Sequence, residues 1–185
     1  MWNFGREKKN IYLTFDDGPV EGLTEWVLDE LKKFDAQATF FCVGDNIMRN
    51  PAIFERITRE GHRAANHTMH HPKGFKRSVA VYMKEVDECR KLLNNNLFRP
   101  PYGQLSPGQY RSLVRRGYRI ILWDVISYDY ENIPQEDCVR NVIKNTQGGS
   151  IVLFHDNIKA EKNLKHTLPL FLDHFQKQGY SFRAL

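Results

Sequence analysis

The chain has 185 residues, of which 41% are hydrophobic and 26% are charged, and its formal net charge at pH 7 is +5. This balance is typical of a globular protein and excludes a disordered or a collagen-like chain. No apolar run approaches the roughly 18 residues that a membrane span needs. No hydrophobic segment follows Arg6, Lys8 and Lys9, as a signal peptide would require. We therefore predict one domain over residues 1–185, without a signal peptide or a transmembrane segment.

Seven short segments along the chain are rich in β-branched, aromatic or continuous apolar residues, which is typical of strands buried on both faces. They cover residues 11–15, 38–43, 62–66, 97–99, 119–125, 150–154 and 181–185. Helical periodicity fills the intervals, as in the stripe of Leu23, Val27 and Leu31. Ser106 to Gln109 form a capping box with a proline, and Pro169 predicts a kink in the last helix or a late start.

Alternation of strands and helices predicts a parallel sheet, either open or closed into a barrel, and the periodicity leaves that choice open. In both architectures functional residues collect at the carboxyl ends of the strands. The first strand ends at the adjacent carboxylates Asp16 and Asp17, which are costly to bury without a compensating positive charge. The alternative is that Asp-Gly-Pro forms an ordinary turn in which one aspartate caps a helix.

Two histidines, His67 and His71, follow the third strand four residues apart, so they can face a common point. Together with a carboxylate, two neutral imidazoles make a site for zinc, cobalt or nickel. A chance pair is the alternative, and His70 competes with His71 for the second position.

Polar residues also end the fourth and sixth strands. Arg99 is followed by two prolines that fix the backbone, which makes either a rigid platform for an arginine and a backbone N–H or a plain turn. His155 is either a core histidine or an acid–base group tuned by a carboxylate.

Taken together, these strand-end motifs resemble the polysaccharide deacetylases, which are family-4 carbohydrate esterases with a NodB-homology domain. The resemblance covers residues 11–185. It rests on TFDDG at residues 14–18, HTMHH at 67–71, RPPYG at 99–103 and LFH at 153–155, and residues 123–130 occupy the fourth motif. It implies a distorted, incomplete (β/α)₇ barrel, and the seven predicted strands agree with that fold.

The resemblance also implies a function for each motif residue. Asp16 would be the general base, oriented by Arg99, and Asp17, His67 and His71 would hold one divalent metal ion, with zinc as the default and cobalt or nickel as alternatives. The backbone N–H of Tyr102 would stabilise the oxyanion, and His155 would be the general acid, supported by Asp129. The expected substrate contacts are Pro101, Tyr102, Tyr130, Leu153 and Phe75.

The fourth motif departs from the family pattern Asp-Ser-x-Asp-Trp, because Ile126 replaces the first aspartate and Tyr130 replaces the tryptophan. Tyr130 can still wall a slot for an acetyl methyl group. Asp124 and Asp156 remain rivals of Asp129 as the partner of His155. We expect His155 to lie across the barrel mouth from Asp16.

The predicted activity is removal of N-acetyl groups from an N-acetylated glycan, such as peptidoglycan or a chitin-like oligomer. The alternatives are a metal-independent amide or cyclic-imide hydrolase on the same fold, and an inactive carbohydrate-binding domain. The net charge of +5 suits an anionic partner, but no nucleic-acid motif is present and no protein partner is predicted. The family is often exported, so the location of the protein stays open.

Overall fold

The computed structural model describes residues 1–185, and its core is a parallel sheet that curls into an incomplete barrel. Strands β1 to β8 span Asn10–Asp16, Ala38–Cys42, Arg63–Asn66, Leu97–Phe98, Arg119–Ile120, Val125–Ile126, Ile151–His155 and Ser181–Phe182. Seven of them form a continuous path in the order β5-β4-β3-β2-β1-β7-β6, and β8 pairs with β1 beside that path. The barrel is open between β5 and β6, which are not paired.

Seven α-helices connect these strands and cover the outside of the sheet. Helices α1 to α7 span Leu23–Lys33, Gly44–Arg49, Pro51–Arg59, Val79–Arg90, Pro107–Arg115, Gln135–Asn145 and Glu161–Lys177. This repeated strand–helix order is the expected (β/α)₇ arrangement. No helix is both long and apolar enough to cross a membrane.

Alternation of side chains along each strand separates an outer apolar layer from the barrel interior. On β1, Ile11, Leu13 and Phe15 point outward and belong to a cluster of 24 buried residues that includes α1 and α7. The inward positions hold a smaller apolar cluster of Phe41, Ala65, Leu97, Ile121 and Ile151. Side chains alternate with a period of two residues along each strand. The residues that follow the inner cluster toward the carboxyl end of each strand therefore also point into the barrel.

The prediction that residues 119–125 form a single strand is wrong. Two short strands, β5 and β6, occupy this segment, and they lie on opposite edges of the sheet. The backbone between them leaves the sheet and offers the carbonyls of Ile121 and Leu122 to the Arg99 side chain. A continuous apolar run cannot reveal this break, because both halves are suited to a buried strand.

The predicted position of His155 across the barrel mouth is also wrong. β7 pairs directly with β1, and Asp16 and His155 are register partners in that pairing. The order of strands along the chain does not determine which strands are neighbours, so only the structure places these two side chains next to each other.

The capping box is confirmed at the start of α5, where Ser106 Oγ accepts the N–H of Gln109 and the Gln109 side chain accepts the N–H of Ser106. The last helix does not start late. α7 begins at Glu161 and continues through Pro169. The buried face of the helix explains this, because its apolar packing outweighs the one hydrogen bond that the proline removes. The apolar residues of that face are Leu164, Leu168, Phe171, Leu172 and Phe175.

We predict that Phe15→Ala lowers the free energy of unfolding by about 3–5 kcal/mol, as expected when a buried phenylalanine is truncated. Phe15 is fully buried between the stacked rings of Phe40 and Phe154, at centroid distances of 5.0 and 5.9 Å. Urea unfolding measures the change. Phe75→Ala is the matched control, since Phe75 is 62% exposed and its loss should cost less than about 0.5 kcal/mol. Equal losses in the two variants would contradict the assignment of the outer core.

Candidate active site

A cleft of about 640 Å³ opens at the carboxyl ends of the strands. It is lined by Asp16, Asp17, Val20, His67, His71, Tyr102, Trp123, Ile126, Tyr130, Leu153, His155, Asn157, Ile158 and Lys159. Two larger grooves, of about 810 and 760 Å³, lie elsewhere on the protein, and no carboxylate side chain lines either of them. The concentration of titratable groups therefore marks the smaller cleft as the candidate active site.

Asp17, His67 and His71 meet in this cleft with one potential ligand atom each, and these atoms all lie within 4.8 Å of one another. Oδ1 of Asp17 is 3.5 Å from Nε2 of His67 and 3.1 Å from Nε2 of His71. His70, the rival of His71, points away from the cleft and contacts Glu85. One carboxylate oxygen and two imidazole nitrogens therefore converge on one point, as a divalent-metal site requires.

A hydrogen bond orients the ring of His67, and a backbone contact holds the loop that carries His71. Nδ1 of His67 lies 2.7 Å from the carbonyl oxygen of Arg99, so Nδ1 carries a proton and Nε2 is the ring nitrogen directed toward the cleft. The backbone N–H of His71 donates to Oγ1 of Thr68, and both residues have positive φ values, 54° and 69°. The loop therefore adopts a strained backbone that turns two histidines toward one point.

Asp17 is held in a comparably unusual conformation, with a φ of 87°. Nδ2 of Asn46 donates to its backbone carbonyl at 2.7 Å, and Nδ2 of Asn157 donates to its Oδ2 at 2.6 Å. Burial opposes ionisation of this carboxyl, but hydrogen bonds with His67 and His71 outweigh burial and hold its pKa far below the usual value. Asp17 is therefore an anion at every physiological pH.

Asp16 and Arg99 form an ion pair inside the barrel, with Nη1 of Arg99 2.7 Å from Oδ1 of Asp16. The Arg99 side chain is fully buried, and it also donates to Oγ1 of Thr14 and to the carbonyls of Ile121 and Leu122. Oδ2 of Asp16 is not part of this pair and lies 3.7 Å from Nε2 of His67. One oxygen of Asp16 is thus anchored, and the other faces the cluster of Asp17, His67 and His71.

His155 and Asp129 form a second pair next to the first. Oδ1 of Asp129 lies 2.8 Å from Nδ1 of His155, and Oδ2 accepts the backbone N–H of His155 at 2.8 Å. Burial lowers the pKa of His155, but the hydrogen bond and the charge of Asp129, with contributions from Asp16 and Asp17, outweigh burial and raise it to about 9. His155 is therefore protonated at neutral pH, and Nε2 is free of this pair.

Neither rival carboxylate contacts the His155 ring. Asp124 accepts hydrogen bonds from Arg6, Ser150 and the backbone N–H of Ile151. Asp156 accepts from the backbone N–H of Gly18 and from Oγ1 of Thr24, and burial, partly offset by these bonds, raises its pKa to about 8. Of the three aspartates that the sequence left open, Asp129 is the one that touches His155.

The expected substrate contacts are divided between the cleft and its surroundings. Tyr102, Tyr130 and Leu153 line the cleft, and the Tyr130 ring packs edge-on against His155 at 4.7 Å. Tyr102 has a φ of 59° in the turn after Arg99, and its ring lies 4.8 Å from that of His71. Pro101 is buried within this turn and Phe75 is exposed outside the cleft, so neither lines it.

Other cleft residues were missed by sequence reasoning, among them Trp123, Asn157 and Lys159. Trp123 stacks beside the Arg99 guanidinium at 5.5 Å and approaches Gly103, where an added Cβ would lie 2.9 Å from its ring. The position of Trp123 at the start of the fourth motif could have identified it as a site residue. The signal for Asn157 was weaker, because it consisted only of a position two residues after His155.

We predict that Asp129→Asn lowers the pKa of His155, because burial then acts without the hydrogen bond and the charge of the carboxylate that most strongly opposes it. In the wild-type protein the stabilising pair is fully present below about pH 6.5 and is lost as pH rises through about 9. Stability should therefore fall over that window in the wild type and less in the variant. NMR titration of His155 and urea unfolding between about pH 6 and pH 10 measure both effects. Asp124→Asn is the control and should leave the pKa of His155 in place. An unchanged pKa in Asp129→Asn would contradict the pairing.

Comparison with known proteins agrees with this geometry. The sequence profile described as polysaccharide deacetylase matches residues 5–121. A peptidoglycan-N-acetylglucosamine deacetylase of Bacillus cereus is 34% identical over 188 residues, covering 98% of this chain and 88% of the relative. The peptidoglycan-N-acetylmuramic acid deacetylase PdaA of Bacillus subtilis is 31% identical, with 97% and 71% covered.

A crystal structure has the same fold over the whole chain. It is that of a peptidoglycan N-acetylglucosamine deacetylase in complex with an N-oxidanyl-benzamide, at 29% identity and a TM-score of 0.94. The match covers 100% of this chain and 89% of that one. The expected incomplete (β/α)₇ barrel is thus confirmed, and the chain belongs to the polysaccharide deacetylase family.

Proposed function

We propose that this protein is a metal-dependent N-deacetylase that hydrolyses the N-acetyl group of an amino sugar in peptidoglycan and releases acetate. One observation supports this most directly. The convergent ligand atoms of Asp17, His67 and His71 share a single cleft with the Asp16–Arg99 and His155–Asp129 pairs. Amide hydrolysis by water needs this combination, because water is a poor nucleophile and an amine is a poor leaving group.

The donor set fits a divalent metal ion. Asp17 is ionised, and the Arg99 carbonyl engages Nδ1 of His67, which leaves Nε2 as the nitrogen that would ligate a metal ion after it gives up its proton. Oxygen and imidazole donors suit zinc, and cobalt and nickel are the alternatives. When bound, the ion supplies Lewis acidity, which polarises a carbonyl and makes water a stronger acid.

Asp16 is the proposed general base. Arg99 and the barrel wall immobilise Oδ1, so Oδ2 keeps a fixed direction toward the ligand cluster. A proton that leaves the attacking water can therefore be accepted at Oδ2 without rearrangement of the side chain. Arg99 is the positioning residue in this step, since it touches Asp16 and is itself buried away from the cleft.

His155 is the proposed general acid. Its Nδ1 proton is engaged by Asp129, so the proton on Nε2 is the one available to the leaving nitrogen. Its raised pKa, about 9, keeps that proton in place at neutral pH. Because Asp16 and His155 are register partners on adjacent strands, one amide placed between their side chains can meet base and acid together.

The remaining walls of the cleft fit an acetyl group. Leu153, Tyr130 and Trp123 are among the apolar or aromatic side chains that line the cleft, and they can hold a methyl group away from water. The backbone N–H of Tyr102, fixed in a tight turn after two prolines, is the proposed donor to the oxyanion.

For the sugar we propose N-acetylglucosamine in peptidoglycan. Two of the relatives compared above, one by sequence and one by structure, carry that activity in their names. The muramic acid activity named for PdaA is the second candidate. Exposed Lys159 at the cleft rim can contact an anionic group of a cell-wall glycan, which a neutral chitin oligomer lacks.

We expect purified protein to release acetate from peptidoglycan, to lose this activity after exhaustive chelation, and to regain it when Zn²⁺, Co²⁺ or Ni²⁺ is added back. A panel of peptidoglycan, its de-N-acetylated form and chitin oligomers, assayed for acetate, tests substrate and metal together. Full activity after chelation would support the metal-independent hydrolase instead, and no acetate from any glycan would support an inactive carbohydrate-binding domain.

We predict that Asp16→Asn reduces kcat by about 10²–10⁴-fold with little change in metal content, because the amide cannot accept the proton of water. The amide oxygen can still accept a hydrogen bond from Arg99, so the side chain should keep its place, although the charge that compensates Arg99 is lost. Acetate release and metal analysis on the same sample separate the two effects. If the variant kept more than about half of the wild-type rate, well outside that range, Asp16 would not be the base.

A further inference from the structure

The side chain of Asn157 bridges the proposed metal ligand Asp17 and the start of α7. Its Nδ2 donates to Oδ2 of Asp17 at 2.6 Å, and its Oδ1 accepts the backbone N–H of Ala160 at 3.0 Å. These two bonds also fix the orientation of the amide. Ala160 N–H can only donate and an ionised carboxylate can only accept, so the nitrogen of Asn157 must face Asp17.

We propose that Asn157 is a positioning residue that sets the metal affinity of the site by holding the Asp17 carboxylate. This inference rests on the proposed metal-dependent function. Asn157 occupies Oδ2 of Asp17, so it leaves Oδ1, the atom nearest Nε2 of both histidines, directed at the shared point. A ligand fixed in advance loses less conformational freedom when the ion binds.

Few other contacts in the loop that contains Asp17 restrain the Asp17 side chain. Its backbone is fastened by Asn46 at the Asp17 carbonyl and by Asp156 at the N–H of Gly18. Gly18 permits that second contact, because a Cβ there would lie 1.9 Å from Oδ2 of Asp156. These two bonds position the backbone and do not touch the Asp17 carboxylate. Apart from the two histidines, the side chain that donates a hydrogen bond to this carboxylate is Asn157.

Two substitutions separate the contact with Asp17 from the contact with α7. Asn157→Ser keeps a short acceptor that can reach the N–H of Ala160, three residues ahead, but it is too short to reach Asp17. Asn157→Ala removes both contacts. Ile158→Ala is the matched control, because Ile158 lies in the same loop and its side chain is 76% exposed.

The experiment is a titration of the metal-free full chain with Zn²⁺ against a chromophoric chelator, with melting temperatures of the metal-free proteins as the test of folding. We expect both Asn157 variants to bind Zn²⁺ about 10- to 100-fold more weakly than the wild type, and Ile158→Ala to bind like the wild type. Acetate release by the Asn157 variants should be impaired at limiting Zn²⁺ and should recover in excess Zn²⁺.

The outcomes distinguish this inference from the function on which it rests. If the wild type binds no Zn²⁺ tightly and none of the other divalent ions restores activity, the proposed function itself fails. If the wild type binds Zn²⁺ and Asn157→Ser binds it equally well, Asn157 acts only on α7 and the positioning proposal is overturned. If weakened binding in Asn157→Ser is matched by Ile158→Ala, the effect belongs to the loop in general and the proposal is again overturned.

Discussion

The ion pair between Asp16 and Arg99 is the interaction on which the rest of the site depends. The Arg99 side chain is fully buried, and leaving one partner of a buried pair uncompensated typically costs about 3–5 kcal/mol. Arg99 avoids this penalty because Asp16 carries the opposite charge, while Oγ1 of Thr14 and two backbone carbonyls accept the other hydrogen bonds of the guanidinium at the point where the chain leaves the sheet. The gap between β5 and β6 supplies those carbonyls, so the incompleteness of the barrel is what allows an arginine to lie at its centre.

One residue therefore couples the proposed base to the proposed metal ligands. The Arg99 side chain anchors Asp16, and the Arg99 carbonyl accepts a hydrogen bond from Nδ1 of His67. A shift of the backbone after β4 would move both contacts at once. Side-chain alternation explains why the groups can meet. Asp16, His67, Arg99 and His155 all continue the inward-facing set of their strands, while the outward set packs under the helices.

Sequence reasoning succeeded where chemistry is local and failed where neighbours are set by topology. The positions of Asp16, Asp17, His67 and His71 could be predicted because each lies at or after the carboxyl end of a strand, and parallel strands bring these ends to one edge. The separation of β5 from β6 and the pairing of β7 with β1 could not be predicted, because they depend on which strands meet in space. Asn157 went unnoticed because a single amide after a strand has no pattern until its partner is known.

The charges in the cleft are balanced in the two ion pairs but not at Asp17. Arg99 neutralises Asp16, and the protonated form of His155 neutralises Asp129, so both pairs are electrically complete below about pH 9. Asp17 is the carboxylate that faces two imidazoles without a lysine or arginine beside it. A cation is what that arrangement lacks, and a divalent ion supplies it. A neutral amide suits the position of Asn157 for the same reason, because it restrains Asp17 without cancelling the negative charge that attracts the ion. An arginine or lysine in its place would hold the carboxylate equally well and compete with the metal.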